Sequence, residues 1–289
     1  MPDPAVVTRF APSPTGHLHK GHAYAALKAY HFAKEQGGKF LLRIEDIDFN
    51  RCSSDNTHQI LEDLAWLGLE WEEPVRIQSE HLQEYAQVAG QLEEQGVLYP
   101  CFCTRKDILR EIEEAGRAPH GSEGPLYPGT CRRISEDERI SKIGAGDSYS
   151  LRLNLEKAIA SVGVNSSGPD LTWTDTVQGT QQAKPEKLGD VVLVRKDIGT
   201  SYHLAVVIDD GIQEVTDVVR GVDLFDSTHI HCVIQALLGL PTPRYHHHEL
   251  LTDAGGRRLA KRDQAITLKS LRDSGTSVQE LKKELGYLE

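Results

Sequence analysis

A chain of 289 residues and 32.1 kDa, 39% hydrophobic, can bury a full core in one large or two modest domains. No run of about 18 apolar residues is available to span a membrane, and the N-terminal MPDPAVVTRF lacks the apolar core of a signal peptide, so a cytoplasmic location is expected. The net charge of −11 excludes general coating of nucleic acid, because nonspecific affinity comes from neutralised phosphates.

The first predicted unit runs from Val6 to Asp48: a β-branched strand ending at Arg9-Phe10, a turn from Ala11 to Gly16, a helix of alanines, leucines and aromatics, and a second strand ending in acids. This is a βαβ pattern. Pro12, Pro14 and Gly16 forbid a regular element in the turn, and His19-Lys20-Gly21-His22 falls where the helix begins. Open N–H groups, the positive end of the helix dipole and two imidazole donors would converge there, which suits a phosphate chain. Gly21 would let a flat ring or ribose come close to the backbone.

Apolar residues at helical spacing predict a helix over Asp55–Leu67 closed by Gly68, then a short extended piece at Ile77-Gln78, a helix over His81–Gln95 closed by Gly96, and a strand at Val97-Leu98-Tyr99. Such alternation predicts an α/β fold with a parallel sheet wrapped by helices and the ligand at the carboxyl ends of its strands. The pattern then breaks. Cys101-Phe102-Cys103 precedes a helix start at Thr104-x-x-Asp107, and an irregular stretch from Gly116 to Thr130 leads to Cys131. Five cysteines in an apparently intracellular chain oppose a disulfide framework. Three of them clustered around a loop can clamp Zn²⁺ and order a segment that lacks its own core; buried, idle thiols are the alternative.

A strand follows at Asp147–Leu155, then turns and short strands over Asn165–Lys184, a buried strand at Asp190–Arg195, and an apolar run from Ser201 to Asp210. Glu214–Val219 reads as a strand and Leu224–Leu238 as a helix. In Tyr245-His246-His247-His248-Glu249, side chains on an extended segment alternate faces, which opposes a single metal chelate and favours structural roles. His203, entering an apolar run, reads as a core histidine. Two glycines then precede the basic stretch Arg258–Arg262, and Ser277-x-x-Glu280 opens a capping-box helix near the end. A local basic face for RNA could be built from Arg132, Arg133 and Lys142, or from Arg257, Arg258, Lys261, Arg262, Lys269, Lys282 and Lys283; scattered solvated charges are the other reading.

Arg9-Phe10-Ala11-Pro12-Ser13-Pro14-Thr15-Gly16, then His19-x-Gly21-His22, then Arg43-Ile44-Glu45-Asp46-x-Asp48 resembles the glutamyl branch of the class I aminoacyl-tRNA synthetases. The middle piece is similar to that class's His-Ile-Gly-His signature. Tyr202-His203-Leu204-Ala205 and Val219-Arg220-Gly221-x-Asp223-Leu224 resemble the same core. Arg258-Leu259-Ala260-Lys261-Arg262 resembles the mobile Lys-Met-Ser-Lys-Ser loop, keeping Lys261 but carrying Arg258, Ala260 and Arg262 in place of a lysine and two serines. Cys101, Cys103, Tyr127 and Cys131 resemble the zinc module of the branch's short members; phenolate is an uncommon zinc ligand, so His120 in the same loop stands as the rival fourth ligand.

The resemblance implies a Rossmann-like doubly wound parallel sheet with an inserted zinc-bearing region and a short helical C-terminal segment. The chain would divide into a first catalytic half (1–100), an inserted, acceptor-facing region with one structural zinc (101–190), a second catalytic half ending in the basic loop (191–262), and a helical tail (263–289) in place of an anticodon-binding domain. It further implies ATP, taken with Mg²⁺, over the first turn, with adenine and ribose near Gly21 and phosphates near His19, His22 and Lys261. L-glutamate would lie against Arg9, Phe10, Ala11, Pro12, Ser13, Glu45, Tyr202 and Arg220. Glu45 would hold the ammonium and the arginines the γ-carboxylate. The glutaminyl branch lacks an arginine matching Arg220, and a buried guanidinium facing a neutral amide would cost about 3 kcal/mol, which points to glutamate.

The short members of the branch activate glutamate without tRNA and attach it to queuosine in the anticodon loop of tRNA(Asp), and the expectation here is the same activity in a monomer. A truncated enzyme charging the end of tRNA(Glu) is the rival enzyme reading. An inactive paralogue binding tRNA or protein is a third, which glutamate-driven ATP–pyrophosphate exchange would exclude.

Overall fold

The first strand, β1 (Val7–Phe10), is followed by α1 (Lys20–Glu35), β2 (Lys39–Ile44), α2 (Ser54–Trp66), β3 (Glu72–Ile77) and α3 (Leu82–Glu94) in a computed structural model that describes residues 5–114, 120–121, 124–163, 171–251 and 266–287. β1 pairs in parallel with β2, Val7 opposite Lys39 and Phe10 opposite Leu42, and β2 pairs in parallel with β3. The small side chains Ala23, Ala26, Ala29 and Ala33 form the buried face of α1, so the helix lies close enough for the Thr8 hydroxyl to donate to the Ala29 carbonyl at 2.9 Å. Gly38 serves the same closeness. A Cβ there would fall 2.3 Å from the Val6 carbonyl oxygen.

Next come β4 (Leu98–Cys101), α4 (Arg105–Glu114), the small hairpin β5 (His120–Gly121) and β6 (Gly124–Pro125), α5 (Glu136–Gly144), β7 (Ser150–Leu153) and α6 (Leu155–Ser161). The sequence places the strand at Val97–Tyr99 in a parallel alternation. The structure corrects this: β4 pairs antiparallel with β7, which pairs antiparallel with β10 (Val192–Val194), in a sheet of their own. Hydrophobic spacing carries no strand direction. The strand expected through Leu155 also stops earlier, because the Asn154 side chain accepts from Lys157 N–H and starts α6 at Leu155.

The second half contains β8 (Thr172–Asp175), β9 (Gly179–Gln182), α7 (Tyr202–Ile212), β11 (Asp217–Gly221), α8 (Ser227–Leu238) and β12 (Arg244–His248), and the chain closes with α9 (Leu268–Asp273) and α10 (Val278–Glu284). The apolar run after Ser201 is α7, capped by that serine and buried along most of its length. β11 pairs in parallel with β12, which meets β8 in parallel at Tyr245 and Asp175; β8 and β9 form an antiparallel hairpin. Thr216, just ahead of β11, donates its N–H to the Val7 carbonyl (3.0 Å) and accepts from Val7 N–H (2.8 Å). The halves therefore meet at β1 and β11, giving the order β3-β2-β1-β11-β12-β8. This is an α/β fold with parallel strands and covering helices, and its strand order reverses between β1 and β11, where such sheets take their ligands. α10 returns to α1 through Lys20 and Glu284 (2.7 Å), and Arg272 of α9 reaches Asp63 of α2 (3.2 Å).

Candidate active site

Arg9 and Arg220 sit at the carboxyl ends of the two strands that flank the reversal. Both are buried, and what neutralises each differs. Arg9 donates Nε–H to Asp210 Oδ1 at 2.9 Å. Arg43, with no exposed side-chain surface, donates to the same oxygen at 2.8 Å and lies 3.4 Å from Glu45 Oε1. Asp210 is thus held by two guanidinium groups. Burial alone would raise its carboxyl, but Arg9 and Arg43 outweigh that and hold it below the usual range. Burial pushes Glu45 up, against the pull of Arg43 and Arg9.

Arg220 forms no ion pair among the described residues. Its Nε–H donates to His247 Nε2 (3.1 Å), Nη2 to the Leu224 carbonyl (3.0 Å) and the Thr228 hydroxyl (2.6 Å), and Nη1 to the Tyr202 hydroxyl (3.3 Å). Tyr202 feels Arg220, Glu45, Arg9 and Asp210 together; its phenol is raised, first by burial, with Arg220 opposing. Arg9, Glu45, Tyr202 and Arg220 thus share one electrostatic neighbourhood. Phe10 and Pro12 are buried, Ala11 is half-buried and Ser13 is exposed. The Pro12 carbonyl takes the Glu45 N–H at 3.0 Å, tying the turn after β1 to the end of β2.

The start of α1 corrects one expectation. The Gly21 N–H is not open, because His19 Nδ1 accepts from it (3.1 Å), while His22 Nδ1 accepts from the His19 N–H (3.2 Å). The two histidines form a reciprocal capping box, their rings stacked with centroids 3.8 Å apart. An imidazole that accepts at Nδ1 carries its proton at Nε2 when neutral, so the cap sets both rings as Nε2–H donors. Lys261 lies outside the described residues, as do Arg258 and Arg262. Just beyond them Thr267 bridges to His19, and Leu268 N–H donates to the Leu18 carbonyl at 2.8 Å, so the chain re-enters beside the two histidines.

In the inserted region, the sulfurs of Cys101, Cys103 and Cys131 all lie within 4.8 Å of one another. Cys103 Sγ is 3.4 Å from Cys131 Sγ and 3.5 Å from the Tyr127 hydroxyl, which also accepts the Cys131 N–H at 2.8 Å. Sulfur pairs on a tetrahedral zinc stand about 3.8 Å apart, so the three thiols and the phenol fit that donor set. Arg152 stacks on the Tyr127 ring, 3.9 Å from its centre, while burial and the bonds to the neighbouring thiols push the phenol up. The His120 side chain lies outside the described residues. Between Tyr127 and Tyr202-His203 is a cavity of about 430 Å³ with Arg105, Arg152, Lys187 and Arg195 in its wall.

Arg43, Asp210 and Asp175 carry no assigned role in the sequence pattern, and His247 reads there only as structural. Two consecutive acids, Asp209 and Asp210, ending an apolar run were the available signal. Asp209 is also engaged, by Arg76 (2.7 Å), Gln78 (2.8 Å) and Tyr85 (3.0 Å). His203 is buried with His231 as a partner at 3.1 Å, and His246, His247 and His248 have separate partners, in keeping with alternating faces.

The nucleotide-binding sheet, the signature at its first turn and the paired charges at its reversal are those of a class I synthetase core. Residues 5–286 match the family described as tRNA synthetases class I (E and Q), catalytic domain, and the chain belongs to it. It is 45% identical to a glutamyl-Q tRNA(Asp) synthetase of Rhodobacter capsulatus, over 97% of this chain and 100% of that one. It is 41% identical to another of that name from Symbiobacterium thermophilum, over 97% of this chain and 85% of the other. A crystal structure of a glutamate tRNA ligase from Elizabethkingia meningosepticum in complex with its amino acid superposes with a TM-score of 0.73 at 29% identity, covering 90% of this chain. The chain spans about half of that ligase, 52% of its length.

Proposed function

We propose that this protein activates L-glutamate with ATP and transfers the glutamyl group to queuosine in tRNA(Asp). The observation that carries the amino-acid choice is Arg220: buried, bonded only to neutral groups and without a carboxylate partner among the described residues. A side-chain carboxylate meets those guanidinium donors directly with an opposite charge, whereas an amide offers them no anionic partner. Glu45 takes the α-ammonium, and Arg9, fixed by Asp210, adds positive potential. The acceptor follows the relatives of that name, which this chain matches over 100% and 85% of their length.

In the first step an α-carboxylate oxygen of glutamate attacks the α-phosphorus of ATP. The bond to the bridging oxygen breaks and pyrophosphate leaves with its electron pair, giving glutamyl-adenylate. Catalysis of this kind rests on positioning and on cancelling phosphoryl charge. The Nε2–H groups of His19 and His22 serve it, joined by Lys261 from the basic loop and by Mg²⁺ carried with ATP. Gly21 makes room for the nucleoside. In the second step an acceptor hydroxyl attacks the acyl carbon, AMP departs and an ester forms. The cavity beside Tyr202, whose wall sets Arg105, Arg152, Lys187 and Arg195 against one acid, Asp190, fits an anionic nucleotide acceptor.

Cys101, Cys103, Cys131 and Tyr127 would hold one Zn²⁺, whose chemistry there would be to bind four donors and stiffen the segment. Glutamate-dependent ATP–pyrophosphate exchange tests the reading. Exchange with glutamate, none with glutamine and loss of exchange in Arg220→Ala are expected; parental activity in R220A would overturn the assignment.

A further inference from the structure

Behind Arg220 stands a second pair of groups. His247 on β12 accepts from Arg220 Nε–H at its Nε2 (3.1 Å), and its Nδ1 lies 2.7 Å from Asp175 Oδ2. A guanidinium has no acceptor, so Nε2 is the bare nitrogen and the ring proton sits on Nδ1, donated to Asp175. The imidazole is therefore neutral. Burial and the Arg220 charge push its pKa down to about 4, against the opposing pull of Asp175. Both side chains are fully buried. The other Asp175 oxygen accepts from the Val177 and Gln178 N–H groups, each at 2.8 Å, so the hairpin turn after β8 fixes the carboxylate.

We infer that Asp175 and His247 are positioning residues for the amino-acid side chain: they set the plane of the Arg220 guanidinium and place its counter-charge one ring away, leaving the Nη1 edge beside Tyr202 for a substrate carboxylate. A direct Asp–Arg pair would compete with the substrate for the same donors, and an arginine with no counter-charge would be too costly to bury. A neutral imidazole between them relieves both problems. The register delivers this geometry: Arg220 pairs with His247 across β11 and β12, and Tyr245 of β12 pairs with Asp175 of β8. The inference rests on the reading that Arg220 meets the γ-carboxylate.

The test is steady-state ATP–pyrophosphate exchange with Asp175→Asn, His247→Phe and His247→Gln beside Arg220→Ala. D175N and H247F are expected to raise KM for glutamate about tenfold or more while KM for ATP stays within about twofold. H247Q, whose amide oxygen can accept from Nε, is expected to recover most of the loss. Unchanged KM for glutamate in D175N and H247F, or a fall in kcat alone that tracks a smaller folded fraction, overturns the inference. Equal impairment of H247F and H247Q also overturns it, since packing alone would then explain both. R220A separates the two levels: parental KM in R220A removes the underlying reading, whereas a defective R220A beside parental D175N and H247F removes only this one.

Discussion

Arg43 reaches from β2 to Asp210 on α7 and closes a buried ion pair of 2.8 Å. The same carboxylate holds Arg9 at 2.9 Å, so one acid on α7 ties together the ends of the neighbouring strands β1 and β2. Asp210→Asn keeps the shape and removes the charge that two buried guanidinium groups share. Loss of about 3 kcal/mol of unfolding free energy is expected, read from urea denaturation with the parent's m-value.

Glu45 gives a pH dependence. Burial, only partly offset by Arg43 and Arg9, holds its carboxyl above the ordinary 4.5. For stability the sign is unfavourable to ionisation: the contribution is full below 4.5 and declines as pH rises through the folded value. For function the sign is opposite, since only the carboxylate can hold an ammonium. The acid limb of kcat/KM for glutamate, which reports the free enzyme, should therefore lie above the ordinary carboxylate range, and Glu45→Gln should abolish it along with most activity.

His19 has two separable roles, cap and donor. His19→Asn retains a capping acceptor and should cost less than about 0.5 kcal/mol. In the proposed mechanism it removes an Nε2–H donor to the nucleotide, so exchange should fall about tenfold or more. Equal losses of stability and activity would mean that the residue only caps α1.

The cysteine cluster makes a metal prediction. Purified protein should carry about one zinc per chain, and Cys103→Ser should lose it with a lower melting temperature. Tyr127→Phe should weaken retention against a chelator while His120→Ala leaves it unchanged; the reverse pattern would transfer the fourth position to His120.

Much of this site could be read from the chain itself. Pro12, Pro14 and Gly16 announced a turn, His19 and His22 a helix start, and Cys101, Cys103, Tyr127 and Cys131 do converge. Asp210 was hidden because its partners Arg9 and Arg43 lie 201 and 167 residues away, a distance no local pattern spans. The antiparallel sheet of β4, β7 and β10 was hidden for a related reason: apolar alternation marks a strand but not its direction. His247 looked structural because alternation opposes a chelate of three histidines, and alternation is also what turns its ring toward Arg220. The cap on Gly21 was missed since histidine is not among the usual capping residues.

The most direct trial of the whole account is transfer of radiolabelled glutamate to tRNA(Asp) prepared with and without queuosine, with tRNA(Glu) alongside. Label that enters only the queuosine-containing tRNA, preceded by adenylate formation without any tRNA, is the expected result. Label on the terminal adenosine of tRNA(Glu), or none on any tRNA, would contradict it.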